Sequence, residues 1–187
     1  LSCICSILAE VAGSIITSHA IGYMFYVWAG YTIVEYSLFA LFFYKAFERK
    51  KIRYIVSIGT LLFYGIVFIT FYEKNTKAFD SLSASMEAIL MIIYSIVFLY
   101  TQITSPEIIY LYSTKKFWIV IAIFLYFSST LFLFLFAADF TNPQGSSYWV
   151  INNLFEMLKN IIFCISFAMK KSDSRSDSIR NYNPDLL

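Results

Sequence analysis

Charge is what this chain has least of. Only 14% of its 187 residues are Asp, Glu, Lys or Arg, against about 25% in ordinary soluble domains. Histidine occurs once, as His19, which excludes sites built on several imidazoles. A catalytic zinc centre of that kind has no ligands here, and H-E-x-x-H is absent. The Glu-x-x-His spacing of carboxylate-bridged di-metal bundles is missing too. The aspartates Asp80, Asp139, Asp173, Asp177 and Asp185 all fall between apolar runs or in the tail. Cys3, Cys5 and Cys164 form no CxxC or Cys/His pattern, and are expected as free thiols that behave as small hydrophobes. No glycine-rich phosphate loop occurs. Pro106, Pro143 and Pro184, the three prolines, lie outside the apolar runs, so no run carries a proline kink. The expected cofactors are therefore none.

What remains is apolar. Hydrophobic residues make up 59% of the chain and aromatic residues 20%, and the few charges cluster between long uncharged stretches. That pattern marks an integral membrane protein. The opening residues lack a basic n-region, and Glu10 interrupts them, which argues against a signal peptide. Six spans near the roughly 20 residues a bilayer requires are expected. They cover residues 1–18, which looks truncated, then 26–47, 52–72, 82–103, 117–138 and 148–169. The predicted fold is an all-α, polytopic, six-helix transmembrane bundle over 1–170. A polar, serine-rich tail at 171–187 reads as disordered and cytoplasmic.

The basic residues orient these spans. Of the 14 Lys and Arg residues, only Lys74 and Lys77 fall in the loops expected to face outward, and Lys159 falls within a span. The rest flank the opposite ends, including the run ERKKIR at 48–53. The positive-inside rule then places both termini in the cytoplasm. It also accounts for the basic runs without nucleic acid. The expected partners are membrane lipids and a separate signalling or membrane-complex protein.

The last span, YWVINNLFEMLKNIIFCISF, is the anomaly. Asn152, Asn153, Glu156, Lys159 and Asn160 fall within an arc of about 120° on one helix face. Glu156 and Lys159, three residues apart, can pair along that face. Glu10, Glu35 and Glu87 bring one carboxylate from each of three other spans to a similar depth, and His19 lies near the outer mouth. The sequence therefore predicts an outward-facing polar cavity formed by Glu10, Glu35, Glu87, Asn153, Glu156, Lys159, Asn160 and His19. Such a cavity suits ligand or ion sensing, or an accessory subunit of a larger complex. The alternatives are an intramembrane enzyme acting on a lipid-like substrate and a small proton- or cation-coupled transporter. No nucleophile–base pair stands out beyond His19 near Ser14 and Ser18. The carboxylates also do not repeat between the two halves of the chain, as an inverted-repeat carrier would require.

The segments TIVEYSLFALFFYKAF, FWIVIAIFLYFSSTLFLFLF and YWVINNLFEMLKNIIFCISF resemble a set of small, uncharacterised multi-pass proteins of Bacteroidota. The likeness rests on Glu10, on Glu35 in the second span, on Leu125 to Ser128 in the fifth, and on Asn152, Asn153 and Asn160 in the last. A histidine expected before the first Asn of the last helix is replaced by Val150 or Ile151. The resemblance implies an inner-membrane location and names no substrate or reaction.

Overall fold

The computed structural model describes residues 21–72, 81–104, 114–136 and 145–169. These form five helices: α1 (Ile21–Ala46), α2 (Lys50–Tyr72), α3 (Ser81–Ile103), α4 (Lys115–Phe136) and α5 (Gly145–Ala168). Among the described residues, α2, α3, α4 and α5 are long and apolar enough to cross a membrane. The chain is an all-α, multi-pass membrane protein. The expected six-helix bundle is corrected to four to five membrane helices among the described residues. The span expected at 1–18 and the tail expected at 171–187 lie outside the described residues. α1 is 26 residues long, and its Thr32, Glu35 and Tyr36 are buried. Its polar residues need protein partners more than lipid.

α3 is the hub. It packs against α1, α2 and α4, and α4 in turn packs along α5. The apolar window of α3 is 56% buried against 22% for α2, so α3 runs through the bundle and α2 lies at its edge. Small buried residues let α3 and α4 approach closely: Ala84, Ser85, Ala88 and Ser95 on α3, Ala122 and Thr130 on α4. Without a hydrophobic drive between helices in lipid, such packing and interhelical hydrogen bonds hold the bundle. α2 buries only a narrow stripe, Val56, Gly59, Phe63 and Val67. Tyr36 of α1 stacks on Phe63 at 3.8 Å between ring centroids. The Tyr94 hydroxyl of α3 reaches the Val56 carbonyl at 3.4 Å, in the space a Cβ on Gly59 would take.

Two helix C-termini at the same end of the bundle are closed by cations from neighbouring helices. Arg53 Nε donates to the Phe47 carbonyl just beyond α1 at 2.7 Å, and its guanidinium lies over the Tyr44 ring. Lys115 Nζ donates to the Phe167 carbonyl near the end of α5 at 3.2 Å. In return the Ser166 hydroxyl donates to the Lys115 carbonyl at 2.9 Å. Positive charge beside the last carbonyls is favourable there. Helices therefore begin at Lys50 and Lys115, a little before the apolar runs at 52 and 117.

Candidate functional site

The buried face of α5 is written at alternating spacings of four and three: Asn152, Glu156, Lys159, Phe163 and Ser166 are all buried. That spacing keeps one stripe turned inward along the whole helix. The same rule sets Thr32, Glu35, Phe39 and Phe43 on the inner side of α1, and Ser83 and Glu87 on the inner side of α3. α4 adds Tyr126 and Phe127. The edge helix α2 carries no acid.

Lys159 is the centre of this arrangement. Its ammonium donates to Glu35 Oε1 at 2.6 Å, and the two side chains are 0% and 5% exposed. It also sits 3.9 Å from the centroid of the Tyr126 ring and 5.6 Å from that of Phe39. One carboxylate and two ring faces thus surround the cation. Desolvated cation–π contacts of this kind contribute about 2 kcal/mol. A buried ion pair needs such support, because taking both charges out of water costs several kcal/mol per ion.

The other two carboxylates stand around this pair. Glu156 is buried, and Tyr31 donates to its Oε1 at 3.2 Å. Glu87 is buried within electrostatic reach of Glu35 and Lys159. Its Oε1 has no hydrogen-bond partner among the described residues, and neither does Asn152 Oδ1 one turn above Glu156. Tyr126 lies in the field of Glu35, Glu87 and Glu156 together. Three acids and one base from α1, α3 and α5 therefore share one region, walled by α4.

Of the other expected members, Asn153 is exposed and Asn160 half-buried, so the amide turned inward is Asn152. Glu10 and His19 lie outside the described residues. The Glu156–Lys159 pair expected along α5 is replaced by the Lys159–Glu35 pair between helices. Helix starts at Ile21 and Gly145 also shift the layer: Glu35 lies about 21 Å and Glu156 about 16 Å from the start of its helix. Glu35 and Glu156 are thus near mid-helix, whereas Glu87 lies about 9 Å from the start of α3. A surface cleft lined in part by Phe47, Arg49, Phe98 and Gln102 is separate from it, about 16 Å along α1 from Glu35.

Tyr126 is not among the residues that the sequence predicts for the cavity. A signal existed: a lysine enclosed by an aromatic-rich bundle needs ring faces as well as a carboxylate. Chemically, the arrangement can hold and exchange positive charge. Among the described residues, no three His, Cys, Asp or Glu side chains are grouped to hold a metal ion. The carboxylates surround Lys159 rather than converging on one point. Comparison with protein-family models, with curated proteins and with solved structures yields no match.

Proposed function

We propose that this chain is a non-enzymatic, proton-responsive sensor of the bacterial inner membrane that reports to a separate partner protein. One observation carries the reading. Lys159 is wholly buried and committed to Glu35 at 2.6 Å, while Glu87, in the same field, keeps an oxygen with no hydrogen-bond partner among the described residues. One ammonium balances one carboxylate. Among the described residues, Glu87 and Glu156 would leave negative charge in excess if both were ionised, in a medium that tolerates it poorly. A proton is the smallest species that removes the excess, and carboxylates spread around Lys159 suit protons better than a chelated ion.

Proton exchange at Glu87 would bias a two-state element. With Glu87 neutral, Lys159 belongs to Glu35. With Glu87 ionised, the ammonium is drawn between α1 and α3, and α5 moves with it. The end of α5 is tied to the start of α4 by Lys115 and Ser166, so the movement reaches that end of the bundle. Lys45, Arg49, Lys50, Lys51 and Lys116 lie at the same end, which the positive-inside rule assigns to the cytoplasm. A partner there would read the change.

The test is tryptophan fluorescence of the full chain in lipid nanodiscs, followed across a pH titration. The wild type should show a reversible transition that Glu87→Gln abolishes while circular dichroism stays helical. A transition unchanged in the variant, or none in the wild type, contradicts the proposal.

A further inference from the structure

Away from the bundle, α5 carries two stripes at spacings of three and four. One, Ile151, Leu154, Leu158, Ile161 and Ile165, is aliphatic and largely exposed, as an acyl-chain contact should be. The other runs Val150, Asn153, Met157, Asn160, Cys164 and Phe167. Val150, Met157 and Phe167 are exposed, as are Asn153 and Cys164. Asn153 lies about one turn inside the apolar window Val150–Ala168. An amide on the outer face of a membrane helix is poorly accommodated by hydrocarbon. It also carries both donors and an acceptor, so a second amide can both accept a hydrogen bond from it and donate one to it.

We infer that two copies of this chain associate through α5, with each Asn153 hydrogen-bonded to Asn153 of the partner subunit across a two-fold axis. Copies inserted in the same direction meet at an axis along the membrane normal, where each residue of the interface faces its own counterpart. A single asparagine is self-complementary at such an axis. The alternating spacing of the second stripe is that of a left-handed helix-pair seam. The aliphatic stripe has the same spacing but no group that lipid fails to satisfy, so the seam with the amide is the one buried. Cys164 lies three turns along the same seam, near the far end of α5.

This inference does not depend on the proton-sensing reading, and cysteine cross-linking in native membranes tests it. With Cys3→Ser and Cys5→Ser, Cys164 is the sole thiol, and mild oxidation should convert most of the chain to a disulfide-linked dimer. Adding Asn153→Leu, which keeps the helix apolar, should lower the cross-linking rate about ten-fold. A control with Cys164→Ser and Leu158→Cys, whose thiol is on the aliphatic stripe, should stay monomeric. Equal cross-linking from both stripes, or indifference to Asn153→Leu, would overturn the inference. So would a disulfide within one chain from Cys164 to Cys3 or Cys5 when all cysteines are present, since the chain's own N-terminal segment would then cover the seam.

Discussion

Lys159 reaches across to Glu35, 124 residues earlier in the chain, at 2.6 Å, although Glu156 stands one turn away on its own helix. The bond therefore fastens α5 to α1 rather than neutralising α5 alone. Those two helices are otherwise joined by long side chains, the Tyr31–Glu156 hydrogen bond and the edge contact of Phe39 with Phe163. Tyr126 of α4 covers the ammonium. The pair organises three helices at once.

Removing one partner strands the other charge. Lys159→Met should destabilise the bundle by about 3–5 kcal/mol, as should other ways of breaking a buried pair. The double variant Glu35→Leu with Lys159→Met should recover most of that loss, because apolar replacement of a whole buried pair is often neutral. Unfolding in mixed micelles, analysed as a double-mutant cycle, measures both. A double variant no more stable than Lys159→Met would show that the two residues act separately.

The ring over Lys159 is separable from its hydroxyl. Tyr126→Phe keeps the face toward the ammonium and should change stability little. Tyr126→Leu loses it and should cost about 1–2 kcal/mol. The same unfolding assay distinguishes the variants, and equal losses would remove the cation–π account.

How far the sequence reveals this follows from the kind of signal each feature leaves. Long uncharged runs make the membrane helices legible, since hydrocarbon enforces them. The buried stripe of α5 is legible in part. Periodicity brings Glu156 and Lys159 to one side, but a 120° arc also admits Asn153, which the structure leaves outside while burying Asn152. Which carboxylate Lys159 selects is not legible, because it depends on how α1 and α5 are rotated against each other. Tyr126 is invisible to a search for charge. The expected count of six includes a span at 1–18, which Glu10 interrupts and which lies outside the described residues, so the count that stands among those residues is four to five.

At the edge of the bundle, Gly59 should be irreplaceable. A Cβ there collides with the Tyr94 hydroxyl, which is held against the Val56 carbonyl. Gly59→Ala should destabilise by about 1–3 kcal/mol, as overpacking does. Gly65, on the same helix with nothing within 4 Å, should tolerate Ala. Thermal unfolding of the two variants in detergent gives the comparison, and equal behaviour would show that α2 shifts freely over α3.

Arg53 closes α1 by its bond to the Phe47 carbonyl. Arg53→Met removes the donor while keeping a long stem, and should cost about 1–2 kcal/mol. Hydrogen exchange of amides 43–49 should quicken locally. Unchanged exchange would mean that the short α1–α2 turn holds itself.

The central claim is that Glu87 exchanges a proton beside the Lys159–Glu35 pair. Infrared difference spectroscopy of the reconstituted chain, recorded across a pH titration, observes carboxyl groups directly. The expected result is a protonated-carboxyl band, insensitive to bulk buffer identity, whose intensity changes with pH and which vanishes in Glu87→Gln. A band that survives unchanged in Glu87→Gln, or a wild type with no buried carboxyl band at any pH, would contradict it and leave the cluster as a fixed scaffold.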